Sequence, residues 1–307
     1  MLIRQYFPYN LTDRMTSTAV LNKTEKMWIA FQLVCAVEQI HSKGLYHGDI
    51  KTNNVVVTSW NWIFLTDLAP FKPIYLSLEK LGEYQYFFSG ETSGMNACYV
   101  APEKFVATKI DSSSGSIETK QAMDIFSLGC VLAEIFLDNL KLFDQPKLLS
   151  YKNGTHDPRD ALKDLKPIAL RDCIIEMISV DPAKRKPIKE YVQIMINEII
   201  PSAFSSFYYY FMAIMLHPKL SSPDRKTAMI LTHLDAIWKC SFQKPVPYIV
   251  QSINDCVFEG VRDLSLEYIV PYIIPTNLPY CMQYSGYVNF LNEEKIPIPE
   301  SESMKYS

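Results

Sequence analysis

Four polar side chains lie close together in the sequence, and their types and spacing suit phosphoryl transfer. Asp49, Lys51 and Asn54 fall within the segment His47-Gly48-Asp49-Ile50-Lys51-Thr52-Asn53-Asn54, and Asp67 follows thirteen residues after Asn54. A carboxylate such as Asp49 can orient an attacking hydroxyl and accept its proton, while the Lys51 ammonium can face a transferring phosphoryl group. The side-chain oxygens of Asn54 and Asp67 are hard ligands of the kind that Mg²⁺ prefers.

A long helix and a β-hairpin are predicted to position these residues. The helix is expected from Asn22 to Ser42, because Asn22 can cap it, Glu25 completes a capping box three residues later, and Gly44 lies just past its end. Short strands are predicted at Leu45-Tyr46-His47, Asn54 to Thr58 and Trp62 to Thr66, the last two joined by a tight turn at Ser59-Trp60-Asn61. Asp67 would then stand at the end of an apolar strand.

The remainder of the chain is predicted to be irregular at first and then mainly helical. An irregular stretch from Asp67 to about Glu103 is followed by a flexible insertion at Ile110 to Ile117. Helices are predicted at Ala122 to Leu137, Pro158 to Val180, Pro187 to Ile200 and Phe204 to Leu216, and a helical hairpin at Val246 to Cys256 and Val261 to Ile274.

Composition narrows the classes of protein that the chain could represent. The 307 residues are 48% hydrophobic and 21% charged, so wholesale disorder is excluded. A net charge of −3 gives no basic footprint for nucleic acid. No uncharged stretch supplies the roughly 20 apolar residues that a membrane span needs. The seven cysteines are scattered and predict reduced core thiols rather than a metal site.

An ordered set of motifs resembles the C-terminal lobe of a eukaryotic protein kinase. The set runs from the His47 segment through Asp67-Leu68-Ala69 and Ala101-Pro102-Glu103 to Asp124 and Arg185. Its Asp-x-Lys-x-x-Asn form is typical of serine/threonine kinases. The resemblance implies that Asp49 and Lys51 are catalytic, and that Asn54 and Asp67 bind Mg²⁺. It also implies that His47 is structural, that Asp124 holds the catalytic-loop backbone, and that Glu103 and Arg185 form an ion pair.

Other residues depart from the kinase pattern. Gly48 stands where many kinases have an arginine, and Leu68-Ala69 replaces Phe-Gly. The first glycine is Gly44, so no Gly-rich loop precedes His47. A β-strand carrying the ATP-binding lysine of kinases is not found before His47 either, and the N-terminal lobe is therefore expected to be absent. By resemblance, Gln5 and Phe7 belong to the hinge and would bind the nucleotide together with Val56, Asn54 and Asp67. ATP and Mg²⁺ are the family's cofactors, but we expect this chain alone to bind ATP weakly or not at all, and to be inactive or weak.

Several longer sequence runs are similar to those of one family, the protein-kinase-like regulatory subunits of class III phosphatidylinositol 3-kinase complexes. They include the runs Val55-Val56-Val57-Thr58-Ser59-Trp60-Asn61-Trp62, Phe71-Lys72-Pro73 and Cys98-Tyr99-Val100-Ala101-Pro102-Glu103. The resemblance implies a lipid-kinase catalytic subunit and associated autophagy and endosomal factors as partners. It implies a cytoplasmic protein, peripheral to endosomal and autophagic membranes through the complex. The family's myristoylated glycine is not found, because residue 2 is leucine.

The predicted fold is mainly α. It comprises a protein-kinase-like domain at residues 1–200, containing only the hinge and the C-terminal lobe with small β-hairpins at the catalytic loop. A helical linker and the start of a HEAT-like repeat region are expected at residues 201–290, and a disordered tail at residues 291–307.

Three functions remain open at this point. The first is a scaffolding subunit of a lipid-kinase complex acting in endosomal sorting and autophagy. The second is a serine/threonine protein kinase that requires an upstream N-terminal lobe, supported by the survival of all four catalytic-loop and metal residues. The third is a generic pseudokinase interaction module of another pathway.

Overall fold

The computed structural model of the chain describes residues 7, 9–58, 61–80, 82–88, 97–107 and 115–200, together with residues 204, 205, 208 and 212. The chain divides into two compact units, Met1–Ile199 and Ile200–Ser307, and every element named below belongs to the first. Its α-helices are α1 (Leu11–Thr16), α2 (Lys23–His41), α3 (Gly82–Phe88), α4 (Ile117–Phe136), α5 (Gln145–Lys152), α6 (Arg159–Leu162), α7 (Ile168–Met177) and α8 (Ile188–Ile194). Its strands are β1 (Val55–Val57), β2 (Ile63–Leu65), β3 (Leu76–Ser77) and β4 (Phe105–Val106).

Helix α2 begins where the sequence predicts, and the capping box is confirmed. The Asn22 side chain accepts a hydrogen bond from the Glu25 backbone N–H at 2.9 Å, and the Glu25 carboxylate accepts one from the Asn22 N–H at 2.9 Å. Gly44 follows the helix at φ +68°, a left-handed conformation that glycine adopts without a steric penalty. The helix is buried around most of its surface and packs against α4 and α8, so it lies within the core.

The predicted hairpin is also confirmed. Strands β1 and β2 pair antiparallel, with Val55 opposite Leu65 and Val57 opposite Ile63. The turn between them is tied to α2 through Asn61, whose backbone carbonyl accepts from Gln32 Nε2 at 2.8 Å. The hairpin that carries Asp67 at its end is therefore fixed to the central helix.

Helix α4 forms the second core element. It packs tightly against α7 at Gly129, where an added Cβ would lie 2.7 Å from Cβ of Met177 and 2.9 Å from Cγ2 of Ile178. Only glycine allows this approach without a shift of the neighbouring helix. The site therefore rests on a framework of α2, α4 and the helices that pack on them.

Three local predictions need correction. Leu45-Tyr46-His47 is not a strand, because the His47 N–H donates to a side-chain carboxylate of α4 instead of a strand partner. The stretch 67–103 contains α3 and β3, and β3 pairs in parallel with β4. The helix predicted over 158–180 is split into α6 and α7, since Pro167 has no backbone N–H to continue a helix.

Several predictions concern residues outside those that the structure describes. These include most of the insertion at 110–117, the HEAT-like region at 201–290 apart from four single residues, and the tail at 291–307. Within the described part of the chain, no helix is long and apolar enough to cross a bilayer, and no group of His, Cys, Asp and Glu is arranged to hold a metal. The four described cysteines, Cys35, Cys98, Cys130 and Cys173, are buried free thiols, as predicted.

Candidate active site

Asp49 lies at the centre of the catalytic loop and is only 8% exposed. A 3₁₀ turn, Thr52–Asn54, bends the chain back so that Asn54 Nδ2 donates to the Asp49 carbonyl at 2.8 Å and to Asp49 Oδ2 at 3.1 Å. Lys51 Nζ lies 3.0 Å from the same Oδ2. Because the Asn54 amide nitrogen is engaged in this way, its oxygen is the atom that can ligate a cation.

The segment after β2 brings Asp67 alongside this loop. Thr66 donates from both its N–H and its hydroxyl to the Asn54 carbonyl, at 2.9 and 3.1 Å. Ala69 N–H donates to the His47 carbonyl at 2.8 Å. Asp67 itself has φ +60° and an exposed side chain. The structure therefore places both predicted metal ligands, Asn54 and Asp67, on adjoining and mutually bonded segments.

Asp124, near the start of α4, holds the backbone of the catalytic loop. Its Oδ2 accepts from the His47 N–H at 2.6 Å, and its Oδ1 accepts from the Gly48 N–H at 2.9 Å. His41 Nε2, at the end of α2, lies 3.0 Å from Oδ2. One buried carboxylate thus connects both core helices to the loop.

His47 supports the loop from inside. Its side chain is fully buried, with Nε2 donating to the Thr66 carbonyl at 2.8 Å and Nδ1 accepting from the Asp49 N–H at 3.2 Å. Burial lowers the pKa of His47, although the nearby Asp124 opposes that shift. A neutral ring satisfies both hydrogen bonds, and its position is structural.

Glu103 and Arg185 form the ion pair that the kinase resemblance implies. Arg185 Nη1 and Nη2 bind Glu103 Oε1 and Oε2 at 2.7 and 2.9 Å, a two-pronged arrangement. The Arg185 guanidinium also donates to the carbonyls of Ser179 and Ala122, and it lies 5.0 Å from the Phe126 ring centroid. The pair fixes the segment after Ala101 to the core.

Of the predicted nucleotide-binding residues, Asn54 and Asp67 lie at the catalytic loop, whereas Phe7 and Val56 lie at the β1–β2 hairpin. Gln5 lies outside the described residues. The Phe7 ring packs 5.3 Å from the Phe64 ring on β2, and Val56 on β1 is the register partner of Phe64. Phe7 therefore packs against the hairpin to which Val56 belongs, and the contacts of the described residues do not connect either of them to Asp49.

Two lysines at the site were not predicted. Lys72 Nζ lies 2.7 Å from Asp49 Oδ2. Lys104 is 6% exposed, donates to the Pro73 carbonyl at 3.0 Å, and lies 4.7 Å from the Phe88 ring centroid. Burial lowers the pKa of Lys104 to about 8. The sequence signals for Lys72 are its place in the run Phe71-Lys72-Pro73, which belongs to the family resemblance, and its position between Pro70 and Pro73.

A chain of buried hydroxyl groups was also missed. Thr12 donates to the Thr52 hydroxyl at 2.8 Å, Thr52 lies 3.1 Å from the Tyr99 hydroxyl, and Tyr99 donates to Glu134 Oε2 at 2.6 Å. Burial raises the pKa of Glu134, whereas the Tyr99 hydrogen bond opposes the shift. The chain fixes Thr52, which lies between Lys51 and Asn54, to helices α1 and α4.

Comparison with known proteins agrees with this geometry. The protein kinase domain family matches residues 1–195. Serine/threonine-protein kinase VPS15 of Arabidopsis thaliana is 41% identical over 207 residues, 67% of this chain and 14% of that protein. VPS15 of Saccharomyces cerevisiae is 38% identical over 226 residues, 72% of this chain and 15% of that protein. VPS15 of Schizosaccharomyces pombe is 35% identical over 243 residues, 78% of this chain and 14% of that protein.

The matched part thus corresponds to about one seventh of these relatives. The family match covers more than half of the chain, and the described structure is a mostly helical kinase domain with few strands. The chain belongs to the protein kinase domain family, and within it resembles the serine/threonine-protein kinases named VPS15.

Proposed function

We propose that the chain is the kinase-like part of a regulatory subunit of a class III phosphatidylinositol 3-kinase complex, with a scaffolding role in endosomal sorting and autophagy. The observation that carries the proposal is the 35–41% identity to proteins named VPS15, which extends over 207 to 243 residues. In this proposal the protein is cytoplasmic and reaches endosomal and autophagic membranes through its complex. Its partners are the lipid-kinase catalytic subunit and associated factors.

A role in docking to a partner protein is supported by solvent-exposed apolar side chains on segments that contact the catalytic loop. Phe71 is 81% exposed and Tyr86 is 82% exposed, and Leu68 on the same segment is also exposed. Phe71 precedes Lys72, which contacts Asp49, and exposed apolar side chains beside such a site are candidates for a protein contact. The anchoring of the loop by Asp124 and by the Glu103–Arg185 pair gives such a surface a fixed support.

Co-purification tests this proposal. The full chain is co-expressed with a class III lipid-kinase catalytic subunit, and a Phe71→Ser/Tyr86→Ser variant is compared with an Ile168→Ser control at another exposed apolar site. We expect association with the unmodified chain and the control, and weaker association with the double variant. Failure of the unmodified chain to associate would refute the proposal.

A second candidate is transfer of the ATP γ-phosphate to a protein serine or threonine. It is favoured by the convergence of Lys51 Nζ and Asn54 Nδ2 on Asp49 Oδ2, at 3.0 and 3.1 Å. Asp49 would receive the proton of the attacking hydroxyl, and Lys51 would face the phosphoryl group. The Asn54 oxygen and the Asp67 carboxylate suit Mg²⁺, which would neutralise phosphate charge when bound.

Calorimetric titration with Mg-ATP separates the two candidates. The residues before His47 contain no Gly-rich loop, so we expect this chain to bind ATP weakly or not at all. Tight, Mg²⁺-dependent binding that Asp67→Asn abolishes and the exposed control Asp160→Asn preserves would favour the enzyme. Phosphate transfer that disappears in Asp49→Asn would then establish it.

A further inference from the structure

One of the two carboxylate oxygens of Asp49, Oδ2, is already occupied. Lys72 Nζ lies 2.7 Å from Oδ2, Lys51 Nζ lies 3.0 Å from it, and Asn54 Nδ2 lies 3.1 Å from it. A carboxylate oxygen offers about two lone pairs to hydrogen-bond donors. With three nitrogen donors on Oδ2, an incoming hydroxyl has no vacant acceptor position there.

Backbone contacts aim Lys72 at this oxygen. A turn runs from Ala69 to Lys72, closed by the Lys72 N–H donating to the Ala69 carbonyl at 3.1 Å. Pro70 takes the second turn position, where its fixed φ is favourable. The Tyr46 hydroxyl donates to the Pro70 carbonyl at 3.1 Å, and the Ala69 N–H donates to the His47 carbonyl at 2.8 Å. The turn is therefore docked on the catalytic loop itself.

Gly48 makes this docking possible. It has φ +83°, and an added Cβ would lie 3.0 Å from the Ala69 carbonyl oxygen. A side chain at this position would push the turn away from the loop. Gly48 thus leaves room for the turn, and Lys72 on that turn places its ammonium group beside Asp49.

The contact is also sheltered from water. The Lys72 side chain is 16% exposed and that of Asp49 is 7% exposed. The Lys72 ammonium lies 5.0 Å from the Phe88 ring centroid, a second favourable interaction. An ion pair in such surroundings is screened less than a surface pair.

We propose that Lys72 is an autoinhibitory contact, which closes Oδ2 of Asp49 to a substrate hydroxyl until the turn from Ala69 to Lys72 moves. The regulatory meaning rests on the second candidate function, phosphoryl transfer. The closure of Asp49 is a separate property of the resting chain and can be measured without nucleotide.

Carbodiimide chemistry on the full chain tests the closure. Reaction with carbodiimide and a small amine, followed by peptide mass spectrometry, reports how accessible each carboxylate is. We expect Asp49 to be protected in the unmodified chain and in Lys72→Arg, and to react several-fold more in Lys72→Met. Lys80→Met is the matched control, because Lys80 is exposed on the same segment and pairs only with Glu83 at 3.7 Å.

Equal reactivity of Asp49 in the unmodified chain and in Lys72→Met, whether high or low, would overturn the proposal. This outcome does not depend on ATP, so failure of phosphoryl transfer in this chain is distinguishable from it.

Discussion

Replacement of Glu103 by Gln is expected to destabilise the first unit of the chain strongly. The change keeps the size of the side chain and removes its charge, so the two-pronged contact with Arg185 at 2.7 and 2.9 Å loses its anionic partner. The Arg185 side chain is fully buried and remains protonated in proteins. It would therefore be left as a buried cation without a countercharge.

The magnitude follows from the surroundings of the two groups. Removing one partner of a buried ion pair costs about 3–5 kcal/mol. Glu103 is 18% exposed, which admits some water and favours the lower half of that range. Arg185→Met should cost a similar amount, because the Ser179 and Ala122 carbonyls each lose a hydrogen bond of about 0.5–1.5 kcal/mol. The double variant should cost much less than the sum of the two single changes.

Urea unfolding followed by tryptophan fluorescence measures these free energies, since Trp28 is buried in α2. The pair Arg159–Asp157 is the matched control, because it is also two-pronged, through Arg159 Nε to Oδ1 and Nη2 to Oδ2 of Asp157, but lies on the surface. Asp157→Asn should leave stability nearly unchanged. A loss below about 1 kcal/mol for Glu103→Gln, or additive single changes, would refute the reasoning.

Three further predictions concern the catalytic loop and its neighbours. Gly48→Ala should lower the free energy of unfolding by about 1–3 kcal/mol, and by more than Gly44→Ala does. Both glycines have positive φ, but of the two only Gly48 has a neighbour that an added Cβ would contact. Urea unfolding of the two variants measures the difference. Asp124→Ala should cost about 2–6 kcal/mol, since two N–H groups lose their acceptor at about 1–3 kcal/mol each, and hydrogen exchange at Gly48 should accelerate. Lys104 has its pKa lowered to about 8 in the folded chain, so the unfolded chain binds more protons between pH 8 and 10.5, and the free energy of unfolding should rise with pH there relative to Lys104→Met.

Local sequence signals were sufficient for the elements that frame the site. Asn22 and Glu25 are three residues apart and satisfy each other's backbone groups, so the start of α2 needs no distant information. The strands β1 and β2 are short, rich in β-branched and apolar residues and separated by a short turn, which also follows from nearby residues. The proximity of Asp49, Lys51 and Asn54 follows from their spacing and one 3₁₀ turn.

Contacts between distant segments could not be predicted in the same way. Leu45-Tyr46-His47 has strand-like composition, but the His47 N–H is bound by a carboxylate 77 positions later in the chain. Lys72 depends on a turn that docks through backbone groups, and backbone hydrogen bonds carry little sequence signature. Nothing in the sequence around Tyr99 or Glu134 indicates that the fold brings the Tyr99 hydroxyl within 2.6 Å of Glu134 Oε2.

The role of Asp124 has a consequence for the order of folding. The catalytic loop lies 76 and 77 residues before the carboxylate that binds its backbone, and Glu103 lies 82 residues before Arg185. Contacts at such separations form slowly, because the chain loses entropy on closing the intervening loop before the contacts give any stabilisation. On the ribosome the loop would emerge well before its anchor, so its geometry is completed only after α4 has been synthesised and has packed against α2. The residues of this loop are thus assembled late, and premature release of the chain before Asp124 would leave them without a defined conformation.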